Sequence, residues 1–345
     1  MKKYKNFFFS IFIILALVFI GFFVYSIEKN FVWYWGLGIA VGFVLQHFHI
    51  CFVSTVSDPF FLGTTERFRA LLIGILGASL GVITIKYLSD GTLDMLGVST
   101  INVPLMLGSF IFGVGMILSG CCPSGMFVRL SEGYTIHIFT IVSVIGGYLF
   151  ANSHYSSVWA PLIFDTPAIF LPNEIGWMPG VIANVLLILV LYLVALRYEK
   201  NRSSSNISKY LIGAICLAII SVIHYIVLKS GLSVTGAFFW LGSMPSDNIT
   251  AAIAPNLRNI GIFAGSLLSA CMFKRFKLQK IRSMKQIYKT VIGGLLIGYG
   301  SCIAGGCTLS AFFVSAASLS LSAWIFMIFL FLGALTGIKI LHKFL

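Results

Sequence analysis

Charge is what this sequence has least of. Asp and Glu number 10 in 345 residues, and the four charged types together reach 10%, against roughly a quarter in soluble domains. With 59% hydrophobic residues, that excludes a soluble enzyme and a disordered chain. No Cys-x-x-Cys pair occurs among the seven cysteines, which argues against a dithiol redox centre, and nothing in the composition reads as a secreted disulfide scaffold. A Walker-type phosphate loop is missing too, which argues against ATP drive within this chain. Ten-residue stretches of alternating polarity, the signature of a transmembrane β-barrel, are not seen.

What the sequence has is a series of apolar runs, and its mean hydropathy is +1.00. Ten spans are predicted, at 7–27, 32–50, 67–88, 104–120, 134–150, 177–197, 209–228, 258–274, 290–305 and 321–341. At about 1.5 Å per residue such runs suit a hydrocarbon core roughly 30 Å thick. The first begins like a signal peptide but is too long and has no small-residue cleavage site, so residues 7–30 are read as a peripheral first helix. Basic residues cluster at Lys2, Lys3 and Lys5, from Arg197 to Lys209, and from Lys274 to Lys289. Positive residues stay on the cytoplasmic side, and an even number of crossings then places both termini there. The net charge of +13 is thus read as topology and contact with the lipid bilayer, not nucleic-acid binding.

Between spans lie four short segments rich in small residues: 51–64, 121–131, 231–255 and 306–318. Irregular backbone at membrane depth is tolerated only where it lines a cavity within protein, so these are expected to be re-entrant half-helices. Two of them share a pattern. Gly113-x-Gly115 followed by Gly120-Cys121-Cys122-Pro123-Ser124-Gly125 aligns with Gly298-x-Gly300 followed by Gly305-Gly306-Cys307-Thr308-Leu309-Ser310, 185 residues later. The same offset carries Cys51 onto Gly236. Five crossings separate the copies, so the repeats are inverted, 31–198 and 199–345, within one membrane transport domain of residues 1–345. Gly-x-Gly patterns also serve close helix packing. The expected fold is therefore an all-α integral membrane protein, an inverted-repeat transporter with about nine to ten transmembrane helices and four re-entrant segments.

Cys122 precedes Pro123, a residue favoured at the first helical position, so its thiol stands at an expected helix N-cap. Cys307 before Thr308 holds the equivalent place, and Cys51 opens a third short segment. A helix N-terminus presents unpaired N–H groups and a partial positive charge, which attract anions. Thiols in the same place favour an anion with a soft atom, a sulfur or selenium oxyanion, because a thiol donates a weak hydrogen bond to sulfur. Cys51, Cys122, Cys307, Gly120, Gly125, Gly305, Gly306 and Thr308 are the predicted path, with Cys121, Cys302, Asp58, Arg129, Glu132 and Gly236 as accessory candidates. Arg129 and Glu132 are spaced to pair on one helix face; Asp58, Asp247 and Arg258 read as isolated charges. His47-x-His49-x-Cys51 is a weak metal pattern, because two helical residues two apart face opposite ways. No metal or cofactor is expected. Cys216 and Cys271 lie in plain apolar spans and are assigned no role.

These motifs resemble the YeeE/YedE family of bacterial inner-membrane proteins, from about residue 36 onward. The likeness lies in Ile50-Cys51-Phe52-x-Ser54 with Asp58, in Gly113 to Gly125 with Arg129, Glu132 and Gly133, in Gly298 to Ser310, and in Ser320 to Trp324. His47 and His49 stand where the family often has arginines, Cys121 replaces a glycine, and so does Ser310. The resemblance implies uptake of thiosulfate, with Cys51, Cys122 and Cys307 facing the substrate and a cytoplasmic TusA-type sulfur carrier as acceptor. Selenium supply is the alternative within transporters. A membrane thiol redox or sulfurtransferase enzyme is the alternative from another class, and the expectation is that the chain is not an enzyme.

Overall fold

A computed structural model describes residues 2–89, 92–163, 166–199, 207–238, 249–281 and 283–344. Asp247 lies outside them. The helices are α1 (Lys2–Ile27), α2 (Phe31–His47), α3 (Phe52–Phe61), α4 (Glu66–Leu88), α5 (Val103–Ser119), α6 (Pro123–Ser131) and α7 (His137–Ser153), then α8 (Leu171–Ile175), α9 (Trp177–Tyr198), α10 (Ile207–Leu228), α11 (Ile249–Met272), α12 (Met284–Ile303), α13 (Thr308–Ser310) and α14 (Leu321–Phe344). A π-turn, Ala311–Ser315, continues α13. Among the described residues only isolated β-bridges interrupt the all-helical pattern.

By length and composition six stretches can cross a membrane, and seven if α12 and the bent segment Thr308–Ser315 count as one. The short segments are helical where expected, α3, α6 and α13, each set off from the preceding helix by a break of a few residues. One boundary moves: α11 begins at Ile249, so residues 249–255, expected in a re-entrant segment, belong to a long helix with Pro255 inside it. An interior proline removes one backbone hydrogen bond without ending a helix that its neighbours hold.

Packing is closest in the pairs α2–α11, α4–α10, α5–α12, α7–α12 and α5–α14. Their glycines explain the intimacy. A Cβ on Gly42 would overlap the Ile262 carbonyl and one on Gly265 the Ile39 carbonyl, so α2 and α11 touch backbone to backbone through Gly38-x3-Gly42 and Gly261-x3-Gly265. Such small-residue seams drive helix association where lipid offers no hydrophobic gain. The α5–α12 seam follows the 185-residue offset: a Cβ on Gly115 would lie 2.7 Å from the Gly293 carbonyl, and one on Gly300 2.6 Å from the Gly108 carbonyl. Under the same offset α2 maps to α10, α4 to α11, α5 to α12 and α7 to α14, so the pair α2–α11 corresponds to α4–α10 and α7–α12 to α5–α14.

At the edge, α1 packs on α2 and α11, where Trp35 donates its indole N–H to the Leu17 carbonyl at 3.2 Å, and it leaves Phe19 and Phe22 exposed. The α9 face is similarly bare, with Met178, Ile182 and Leu186 exposed. Apolar side chains left bare on long helices suit contact with lipid.

Candidate functional site: a cationic cavity and two thiol-capped half-helices

Cys122 adopts an extended backbone (φ −101°, ψ 174°) and its sulfur accepts the Gly125 N–H at 3.3 Å, the N-cap geometry expected for α6. The Ser124 hydroxyl lies 3.3 Å from the same sulfur. Cys307 caps α13 with matching angles (φ −121°, ψ 175°). Its N–H donates to the Ser310 hydroxyl at 2.9 Å, and that hydroxyl lies 3.8 Å from the Cys307 sulfur. Where the first copy has Gly125, the second therefore has a side chain closing the cap. Cys51 (φ −131°, ψ 113°) precedes α3 with no side-chain cap bond. Cys122 and Cys307 are buried, Cys51 half-buried, and both Cys51 and Cys307 lie within electrostatic reach of Cys122. The Phe52 ring, next to Cys51, packs on Phe312 and Phe313 of the second copy, with centroids 6.0 and 6.4 Å apart.

The approach to each cap needs a reversal, and glycine supplies it. Gly120 (φ +73°) and Gly305 (φ +70°) both turn left-handed, and both have open space where a Cβ would stand. Backbone conformation, not crowding, is thus what requires glycine there. The Gly-x-Gly halves of the motifs serve packing instead: a Cβ on Gly113 would overlap the Leu330 carbonyl, and one on Gly298 the Val144 carbonyl.

A cavity of about 280 Å³ opens beside the first cap, lined among others by His49, Cys51, Arg67, Cys121, Arg129 and Glu132. Gly125 also lines it. Arg129 pairs with Glu132 at 3.5 Å across one helical turn, as the spacing predicts, and its guanidinium stacks over Tyr134. Glu132 is also held by Gln46 at 3.4 Å, whose other end takes the Ser269 hydroxyl at 2.6 Å. Asp58 is not isolated: it pairs with Arg67, which also donates to the Tyr210 hydroxyl at 3.1 Å. Arg67 is not a candidate in the sequence because it opens an ordinary span three residues past the 51–64 segment; its fixed charge in a thiol-lined cavity shows only in three dimensions. In the sequence His49 belongs to a weak metal pattern and stands where the family often has an arginine. The structure puts it in a left-handed turn (φ +54°) after α2 ends, facing the cavity while His47 packs between Phe43 and Phe273.

The remaining candidates divide. Cys121 lines the cavity and meets His137 Nδ1 at 3.4 Å. Cys302 is buried beside Tyr148, away from the cavity lining. Gly236 begins a helical turn whose first N–H is taken by the Ser233 hydroxyl at 3.1 Å, so the position equivalent to Cys51 offers no free donor. Arg258 is buried and bonded to His224. Thr308 is fully buried. A smaller recess, about 50 Å³, lies at the second copy against Gly305, Gly306 and Ser310, near Ser99 and Ser322. Under the 185-residue offset its Gly306 and Ser310 correspond to Cys121 and Gly125 of the large cavity.

Two caps, two recesses and one sequence pattern thus recur in both halves of the chain, and the model of the family described as "Sulphur transport" matches residues 47–336, the region that holds them all. The chain belongs to that family. It is similar to the thiosulfate transporter TsuA of Spirochaeta thermophila, 28% identical over 332 residues that cover 89% of this chain and 98% of that one. The thiosulfate transporter TsuA of Escherichia coli is 25% identical over 330 residues, covering 87% and 91%. The probable transporter YedE of Escherichia coli matches over 167 residues at 28% identity, covering 48% of this chain and 40% of that protein. The sulphur transport family member described here is accordingly a multi-pass membrane transport protein and not an enzyme.

Proposed function

We propose that this chain imports thiosulfate across a bacterial inner membrane, through a path in which the anion meets Cys307, then Cys122, then Cys51. The observation that carries the path is the repeated cap: a buried thiol at each half-helix N-terminus, with a recess beside each. The dianion is drawn by the α6 and α13 N-termini and by Arg67 and Arg129, and its outer sulfur accepts weak thiol hydrogen bonds. No covalent bond forms. The mirrored pairing of α2–α11 with α4–α10 supports reading residues 31–198 and 199–345 as inverted repeats. Counting α1, α7, α11 and α12 as crossings beside the six stretches that are both long and apolar enough gives ten, with α3, α6 and α13 as re-entrant segments. Arg275, donating to the Gln46 and His47 carbonyls, brings the basic 274–289 segment to the large cavity, which positive-inside topology then assigns to the cytoplasm. A TusA-type carrier would take up the sulfur there.

The test is growth of a sulfate-uptake-deficient bacterium on thiosulfate as sole sulfur source. The wild-type chain and Cys216→Ala should support growth. Cys122→Ala and Cys307→Ala, at equal membrane abundance, should each cut uptake about tenfold or more, the scale of one lost buried polar contact to a charged ligand. Full uptake by either variant would falsify the thiol path, and no growth with the wild type would remove thiosulfate as the substrate.

A further inference from the structure

Arg258 is a charge that nothing so far explains. It sits on α11, 3% exposed, and among the described residues no carboxylate lies within ion-pair distance of it. Its partners are neutral. Nη1 donates to His224 Nε2 at 3.0 Å and lies 3.5 Å from the Gly231 carbonyl, and Nη2 donates to the Ser233 carbonyl. His224 in turn donates from Nδ1 to the Ser230 carbonyl at 3.0 Å. That fixes its tautomer: Nε2 is left as an acceptor, so the imidazole bonded to Arg258 is uncharged. A buried guanidinium with no counter-charge among the described residues, inside a membrane protein, is costly and is kept where it meets an ion.

Three further observations say where that ion would stand. Arg258 lies within electrostatic reach of Cys307, just as Arg67 does of Cys51, and these arginines are carried by α11 and α4, which correspond under the repeat offset. The Arg258 Nε is buried with no hydrogen-bond partner. So is the hydroxyl of Thr308, the residue after Cys307, and that of Thr235 in the segment whose backbone Arg258 holds. Unsatisfied buried polar atoms near a buried cation that has no carboxylate partner among the described residues mark a place for an anion.

We propose that Arg258 is the counter-charge of the second half of the path, binding the substrate dianion beside Cys307 and selecting for its double charge. The inference rests on the thiosulfate reading above. Arginine in this role discriminates by charge, whereas the thiols discriminate by sulfur, so the two contributions separate experimentally.

The experiment is isothermal titration of the purified full-length protein with thiosulfate and with methanethiosulfonate, a monoanion of similar shape that keeps the terminal sulfur. Two variants are compared with wild type: Arg258→Gln, and the double variant His224→Leu with Arg258→Met, which removes both members of the pair and gives up their bonds to the Ser230, Gly231 and Ser233 carbonyls. Wild type should prefer thiosulfate. In either folded variant the ratio of the two affinities should fall about tenfold, mainly through weaker thiosulfate binding. A purely structural arginine would weaken both anions alike. A ratio held within about twofold in a folded variant that still binds overturns the inference while leaving thiosulfate transport intact; a wild type that binds neither anion overturns both.

Discussion

At the scale of single residues, the site depends on backbone as much as on sulfur. The thiols of Cys122 and Cys307 point where they do because Gly120 and Gly305 turn the chain left-handed immediately before each cap. Neither glycine is crowded, so an alanine there adds conformational strain alone, about 1–2 kcal/mol. Gly120→Ala and Gly305→Ala are therefore expected to lower the unfolding temperature modestly while displacing the caps, so that thiosulfate uptake falls by more than the loss of folded protein. Fluorescence-detected thermal unfolding beside transport, on the same samples, checks this; uptake that tracks folded protein would show that the turns only stabilise. The cysteines and glycines of the motifs were legible in sequence because thiol, glycine and proline have strong local meanings. Arg67 and His49 were not: an arginine at a span's end reads as an interfacial anchor, and only the approach of α4 to α3 makes it part of the cavity.

Elements are held by glycine seams. Between α2 and α11, Gly38, Gly42, Gly261 and Gly265 bring the two backbones into contact, and a Cβ on Gly42 would occupy the position of the Ile262 carbonyl oxygen. No rotamer change relieves a clash with backbone. Gly42→Leu is expected to separate α2 from α11 and prevent assembly, read as aggregation on size-exclusion chromatography, whereas Gly36→Leu, at a position with open space, should elute as wild type. Equal behaviour of the two would remove the seam as the source of helix pairing. Element positions were largely visible in advance, since apolar runs of 17 or more residues announce themselves. The start of α11 was misplaced because Pro255 and the small residues around it look like a break, and packing against α2 overrides that local signal.

For the whole molecule, the distribution of charge is what the proposed orientation of the thiol path rests on. The basic 274–289 segment abuts the large cavity through Arg275, and Lys277 donates its N–H to the Glu132 carbonyl at 2.9 Å. At the small recess the chain instead meets the 166–175 loop, through the bridge between Phe170 and Ser320. Intact cells treated with a membrane-impermeant maleimide should label Glu174→Cys and leave Lys280→Cys unreacted until the membrane is opened, both in a chain whose Cys51 is replaced by serine. Both side chains belong to exposed residues. The reverse pattern would overturn the proposed topology and the order of the thiols along the path.

Composition and hydropathy by themselves settled that this chain lives in a membrane, because no soluble surface can be made from 10% charged residues, and the repeated motif located both caps, because N-capping and left-handed turns are decided within a few residues. Tertiary structure alone decided what surrounds the thiols. The pairing of Asp58 with Arg67 and of Glu132 with Gln46 at the cavity, and the bond of Arg258 to His224, join positions 9, 86 and 34 residues apart. Contacts of that kind depend on how helices cross, and the hydropathy of each helix carries no record of the partner it will meet.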